Sequence, residues 1–373
     1  MDHPRTAFGG RAGSAVAAWW FIALTASGTA GAAQVVPDVL QRPALRSVRA
    51  TTSALLAVAR AGKRLVSVGE RGIVVLSDDD GKTWRQVQVP VSVSLTSVRF
   101  ATDREGWVLG HGGVVLHSAD GGETWSLQLD GVQAAALALE AVRARVRIGA
   151  NPDSEAARKE LADAERLVAD GPDKPFLDAY FSDETHGLIV GAYGLAFTTE
   201  DGGKHWRPWM DRIPNPRGKH LYRIQALGSQ LFIAGEQGAL FRSSDGGNSF
   251  TPIVTPYAGS YFGASAAANG ELLVFGLRGT AYWSGDVGQT WQKVDSGGPA
   301  PLVDSVQLAD GALLVIDQAG QALVSRDRGK SLRRVSLDHG SPASGVIQAA
   351  DGALILCGLR GVRRVSLPAK LPD

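Results

Sequence analysis

One motif returns seven times along this 373-residue chain, and its spacing constrains the fold more than any other feature. Aligned on a leading glycine or its substitute, the copies read VSVGERGIVVLSDDDGKTW, WVLGHGGVVLHSADGGETW, LIVGAYGLAFTTEDGGKHW, FIAGEQGALFRSSDGGNSF, LVFGLRGTAYWSGDVGQTW, LVIDQAGQALVSRDRGKSL and ILCGLRGVRRVSLP. The leading position falls at Gly69, Gly110, Gly191, Gly235, Gly276, Asp317 and Gly358, with gaps of 41, 81, 44, 41, 41 and 41 residues. A period near 41, with apolar runs on both sides of small-residue turns, describes four short strands per unit, the pattern of a propeller blade. Seven units predict an all-β, seven-bladed β-propeller.

Within a unit, an innermost strand (Leu95 to Phe100 in the second) leads to GWVLG. A G-x-x-G turn then leads to VVLHS, and a final S-x-D-x-G-x-T-W turn to WSLQL. The 46 glycines and nine tryptophans suit many short strands joined by tight turns, because hairpins need residues at positive φ where a Cβ clashes. The seventh unit stops at RRVSLP without a fourth strand, so residues 34–48 are expected to close the ring by completing the last blade. An open ring leaves unpaired strand edges.

The second turn recurs around Asp79, Asp120, Asp201, Asp245, Asp286 and Asp327, each flanked by Ser or Thr, Gly, and in five copies Trp or Phe. It resembles the Asp-box, or bacterial neuraminidase repeat. The aspartate and hydroxyl are expected to accept main-chain N–H bonds within the turn. A residue that every blade repeats on one rim is architecture, so these six aspartates are assigned to folding.

The gap of 81 contains one extra segment, residues 131–174, with no strand pattern. Leu139, Val142 and Val146 predict a helix over Gln133–Ile148, stopped by Gly149. Asn151 as cap and Pro152 at the first turn start a second helix over Asp153–Ala169. This helical hairpin leaves the fourth strand of blade two and returns to the first of blade three, so it emerges on the same face as the G-x-x-G turns. That face carries what varies between blades, and Arg71, His111, Tyr193, Gln237, Arg278 and Arg360 are its candidate partner-binding residues.

Residues 1–33 have the three parts of a secretory signal peptide: Arg5 and Arg11, an apolar run from Ala15 to Ala26, and small residues at Ala30, Ala32 and Ala33. The run is shorter than the roughly 20 residues of a spanning helix. A periplasmic or secreted protein without a membrane span after cleavage is expected, with residues 34–373 as the propeller. Charge is balanced at +1, giving no footprint for nucleic acid or an anionic membrane. Cys357, the only cysteine, lies in an apolar run and reads as a buried hydrophobe. No histidine pair has metal-ligand spacing, His111 and His117 falling at opposite ends of one strand, so neither metal nor cofactor is expected.

Two families share such an architecture. Sialidase-like glycoside hydrolases need clustered arginines, a tyrosine–glutamate pair and an acid. DRIP, Asp211 to Pro214, matches a sialidase motif but follows the third Asp-box instead of preceding the first. The inner strands offer Asp178 and Asp304 as acids, with Tyr222 and Arg223 nearby, and structural roles are the expectation for both. From Pro37 to Pro368, apart from the helical insertion, the chain is more similar to the photosystem II stability/assembly factor family, where the G-x-x-G turn and the Asp-box occur together in each blade. That resemblance implies a non-enzymatic, monomeric scaffold holding a membrane-protein complex or exporter through one arginine-bearing face. A glycan-active or glycan-binding propeller is the alternative.

Overall fold

In five of the seven repeats the second strand is buried along its whole length, as at Gly106–Gly110, Gly187–Gly191 and Leu313–Asp317, and in the other two only its first residue, Arg64 or Gln230, is half-buried. Both faces of such a strand meet neighbouring sheets, which is why GWVLG, GLIVG and LLVID read as continuous apolar runs without alternation. The computed structural model describes residues 38–371 apart from 150, 268, 338–340, 369 and 370. Residues 1–33, assigned to a signal peptide, and residues 34–37 lie outside the described residues.

Seven antiparallel sheets follow one another, each with its strands in chain order. In blade two these are Leu95–Phe100, Gly106–Gly110, Val115–Ser118 and Ser126–Leu129. The innermost strand of each blade packs on that of the next, and that of blade seven on that of blade one, so the sheets form a seven-bladed propeller.

In six blades the register of the innermost strand slips by one residue at its first pair. The bulge passes over Leu56, Thr96, Leu177, Tyr222, Phe262 and Val303, and sets Ala57, Ser97, Asp178, Arg223, Gly263 and Asp304 at equivalent positions. A charged seam results. Asp178, 1% exposed, accepts from Ser97 Oγ (2.9 Å), Arg99 Nη2 (2.8 Å) and the Ile224 N–H (2.9 Å). Arg223 lies 3.7 Å from Asp178 through Nε and donates through Nη2 to Asp304 at 2.9 Å, past blade five, where Gly263 offers no side chain. Asp304 also accepts the Val346 N–H of blade seven at 3.0 Å. Burial alone would lower the Arg223 pKa, but Asp304 and Asp178 outweigh it and hold the guanidinium above its ordinary value.

The closing strand expected of residues 34–48 is not found among the described residues. Blade seven has three strands, Gly345–Gln348, Leu354–Gly358 and Gly361–Val365. Residues 38–48 instead form a strap on blade one: the Ala44 N–H donates to Val89 O (3.0 Å), and Val39 O accepts the Ser92 N–H (2.9 Å). The ring closes through side chains. Leu55, Val58, Leu65 and Val75 pack with Ile355 and Cys357, Ser344 Oγ donates to Leu55 O (2.9 Å), and Arg60 donates to Gln348 O (2.7 Å).

The insertion forms α1 (Gly131–Ile148) and α2 (Glu155–Asp170). Asp130 and Gln133 make a capping box that starts α1. The expected cap of the second helix is displaced: Ser154, not Asn151, accepts the Ala157 N–H. The base of α1 is docked, with Ala134 and Ala138 in one cluster with Trp107, Phe176, Phe197 and Trp206 between blades two and three. No helix among the described residues is long and apolar enough to cross a membrane.

Removing Arg223 strands two carboxylates between sheets. Arg223→Leu is expected to lower urea stability by about 3 kcal/mol, the low end for breaking a buried pair because the arginine side chain keeps 24% exposure. Combining it with Asp178→Asn and Asp304→Asn should recover part of that loss. A single-variant cost below about 1 kcal/mol, the scale of a surface pair, would show that the seam does not fasten the blades.

Candidate functional site

The two rims of the ring differ in kind. On one, each Asp-box aspartate is bonded through both oxygens within its own turn. Asp79 Oδ1 accepts from Ser77 Oγ (2.8 Å) and the Thr83 N–H (2.8 Å), Oδ2 accepts from Thr83 Oγ1 (2.6 Å), and Ser77 Oγ accepts the Gly81 N–H (2.8 Å). The pattern repeats at Asp120, Asp245, Asp286 and Asp327. In blade three His205 replaces the hydroxyl, its Nδ1 lying 2.6 Å from Asp201 Oδ2. Bonds from Thr83, His205, Ser249 and Thr290 hold Asp79, Asp201, Asp245 and Asp286 down to about 2. Burial pushes Asp120 and Asp327 up, but bonds from Thr124 and Ser325 outweigh it and leave both lowered.

On the opposite rim, the G-x-x-G turns of blades one to five share one geometry. The first glycine N–H bonds the residue after the motif, as Gly69 does Ile73 O at 2.9 Å. The third position is left-handed: Arg71 (φ 54°), Gly112 (φ 71°), Tyr193 (φ 56°), Gln237 (φ 50°) and Arg278 (φ 59°). The closing glycine lies against the crossover, where a Cβ on Gly72 would fall 2.3 Å from Val91 O and one on Gly279 2.0 Å from Gly298 O. Left-handed φ at a non-glycine residue costs on the order of 1 kcal/mol, and it also occurs at Asp80, Val287 and Arg328 on the Asp-box rim. Strain alone therefore does not mark a site; on the G-x-x-G rim the left-handed Arg71, Tyr193, Gln237 and Arg278 are all exposed, whereas on the Asp-box rim Asp80 and Val287 are half-buried and Arg328 pairs with Glu271.

Two of the six candidate residues stand elsewhere. His111 occupies the position before the left-handed one, equivalent to Glu70, and Gly112 takes the place of Arg71 in blade two. Arg360 lies in a hairpin one residue tighter, where Gly358 pairs directly with Gly361. The candidates do not converge on one pocket but are distributed around the face, one per blade.

Local contacts join some of them. His220 Nδ1 accepts the Tyr193 N–H at 2.8 Å and its ring meets Tyr193 edge-on at 4.8 Å. From there aromatic contacts pass to Tyr222 (6.1 Å) and on to Phe262 (5.5 Å), the bulged residues of blades four and five. Burial, then the Glu236 charge, raises the Tyr222 pKa. Lys174, at the return of the helical arm, stands 5.3 Å above the Tyr193 ring, and Lys219 Nζ donates to Gln237 O at 2.9 Å. A groove of about 240 Å³ opens beside Gln237, lined by Pro214, Pro216, Arg217, Phe241 and Ile253 among others. Sequence reading missed His220, Lys174 and Phe262. Only Tyr222 and Phe262 left a signal, one period apart in equivalent strands.

The hydrolase candidates are otherwise engaged. Asp178 and Asp304 share Arg223 and bind main-chain N–H groups. Arg212 of DRIP stacks on Trp209 at 5.2 Å beside Asp211. His117 Nε2 lies 2.7 Å from Glu105 Oε2 on blade two, away from His111.

Fold and turns define an Asp-box β-propeller with a helical arm on its variable face. Residues 50–138 and 165–293, more than half of the chain, match the family described as photosynthesis system II assembly factor YCF48, and the protein belongs to that family. A photosystem II assembly lipoprotein Ycf48 of Synechococcus sp. (strain CC9902) is 34% identical over 98 residues, 24% of this chain and 29% of the relative. The photosystem II stability/assembly factor HCF136 of Cyanidioschyzon merolae is 36% identical over 67 residues, 18% of this chain and 15% of the relative. The chain thus spans less than a third of these curated relatives. Among solved structures, YCF48 bound to D1 peptide superposes with a TM-score of 0.61 at 16% identity, over 88% of this chain and 99% of the other. The WD40 propeller of Doa1 reaches 0.59 at 10% identity, over 89% and 97%; both show the fold.

Acid should unfasten the Asp-box rim. An aspartate held near 2 in the fold and at its ordinary value of about 4 when unfolded stabilises the fold fully above that value, and the contribution is lost as pH falls through the folded pKa. Urea midpoints are expected to fall between about pH 4 and pH 2. Asp245→Asn should be less stable at pH 7 and show a shallower fall over that window; an unchanged slope would remove the aspartate from the account.

Proposed function

We propose that the protein is an exported, non-enzymatic scaffold that binds a subunit of a membrane-protein complex or exporter through the G-x-x-G face and the helical arm. The observation that carries this reading is the contrast between rims. The Asp-box side chains are bonded within their own turns, whereas Arg71, Tyr193, Gln237 and Arg278 stand exposed, two arginines, a tyrosine and a glutamine, on the face where α1 docks. A surface with arginine, tyrosine and glutamine at different blades presents one asymmetric pattern to a partner, and multi-point contact suits a protein segment better than a small molecule. The groove beside Gln237, with prolines and Phe241 along it and Arg217 and Lys219 on its lining, fits a few side chains of an extended peptide. The family's assembly factors and the D1 peptide on one solved relative support the same class of partner. The left-handed side chains act here as anchors, Tyr193 braced by His220 and overlain by Lys174.

Affinity purification from the native host, comparing the full chain with an Arg71→Ala/Tyr193→Ala/Arg278→Ala variant, tests this. All three side chains are exposed, so the thermal midpoint should hold within a few degrees while recovery of a membrane-protein partner falls at least tenfold. Recovery equal to that of the parent chain would place the contact elsewhere.

A further inference from the structure

A net charge of +1 conceals a local concentration of basic residues. The strap ALRSVRATT, Ala44–Thr52, contains two arginines and no acid. Its main chain is pinned: Gln86 accepts the Ser47 N–H at 2.8 Å and donates to Leu45 O at 2.9 Å. Its start lies against the blade-one turn, where a Cβ on Gly72 would fall 2.9 Å from Ala44 Cβ. Its end lies against the blade-seven turn, where a Cβ on Gly361 would fall 1.8 Å from Thr51 O. The strap therefore runs between the turn bearing Arg71 and the turn bearing Leu359 and Arg360.

Three aliphatic side chains along this path face solvent, Leu45 at 78%, Val48 at 103% and Leu359 at 64% exposure. Arg46, Arg49, Arg71 and Arg360 are exposed as well. Among the described residues none of the four arginines forms an ion pair, and the nearby Glu70 is turned inward to accept the Ala54 N–H at 3.1 Å. A pinned main chain that presents aliphatic and cationic side chains together calls for a surface that is anionic and apolar within one side-chain length. The headgroup boundary of an anionic bilayer has that profile.

We propose that the strap and the turns of blades one and seven contact an anionic phospholipid surface, with Arg46, Arg49, Arg71 and Arg360 on headgroup phosphates and Leu45, Val48 and Leu359 at the acyl boundary. This contact shares Arg71 with the proposed protein-binding face, but it does not rest on that role, and Arg46, Arg49, Leu45 and Val48 belong to the strap alone.

Co-sedimentation of the full chain with phosphatidylcholine vesicles, with and without phosphatidylglycerol, tests the proposal. The readout is the preference for phosphatidylglycerol. Arg46→Ala/Arg49→Ala should cut that preference about twenty-fivefold, from roughly a fivefold loss per arginine. Leu45→Ser/Val48→Ser should weaken binding while leaving its salt dependence unchanged. Lys63→Ala/Lys204→Ala, the same charge change on the Asp-box rim, should leave the preference intact. The proposal fails if the strap arginine variant keeps its preference, or if the control loses it equally. Normal vesicle binding by the strap variant with loss of a co-purifying membrane protein would make the strap a protein contact, and also overturns it. Arg278 and Tyr193 are intact in these variants, so failure here is distinguishable from failure of the scaffold reading.

Discussion

The strand-to-strand hydrogen bonds of this propeller lie within single sheets, so the ring depends on side chains packed face to face between sheets. That dependence explains why the second strands are apolar on both faces, why aromatic rings such as Trp107 and Phe181 stack across the boundary between blades two and three at 3.5 Å, and why the charges admitted to the boundaries come paired. Arg99, Asp178, Arg223 and Asp304 form an alternating series tying blades two, three, four and six, with Asp304 reaching blade seven through a main-chain N–H. Ionic contacts of this kind add little net stability over apolar ones, but they fix which sheet sits beside which.

Much of the fold was legible because glycine and apolar spacing report backbone conformation directly. The seven repeats, the Asp-box chemistry and the two helices follow from residues that act within a few positions of themselves. What was not legible depended on one-residue shifts. His111 and Gly112 occupy the same four-letter motif, and only φ decides which of them takes the left-handed position. Arg360 looks equivalent to Arg71 until the tighter hairpin of blade seven is seen. Asp178, Arg223 and Asp304 come into register because bulges displace their strands, and a bulge leaves no mark in an apolar run. The closing strand failed for a similar reason. The apolar residues at Leu40 and Ala44 do have a burial partner, but it is blade one and the crossover to blade two, not the edge of blade seven. His220 sits in a basic, proline-containing connection with no periodicity, so its role beneath Tyr193 emerges only when the turn folds over it.

The two rims separate folding from recognition. A turn that binds its own aspartate holds that carboxylate in one local geometry, and it can repeat six times because it asks nothing of its surroundings. The G-x-x-G turn constrains only its glycines, where the crossover carbonyl excludes a Cβ. Its third residue must accept a left-handed backbone but is otherwise free, so arginine, tyrosine and glutamine all occur there. Substitution can proceed on that rim without disturbing the ring, which gives one scaffold many possible faces.

Closure through side chains has a consequence for the order of events in folding. Ser344 and Leu55, which meet across the seam, are 289 residues apart in the chain, and contacts of such separation carry the largest loop-closure cost. Blades one and seven can meet only after the last residues of the chain have emerged. Until then the apolar face of blade one, with Leu55, Val58 and Leu65, has no neighbour to cover it. A chain of this design carries its greatest exposure to aggregation and proteolysis at blade one, and is relieved of it only when blade seven arrives.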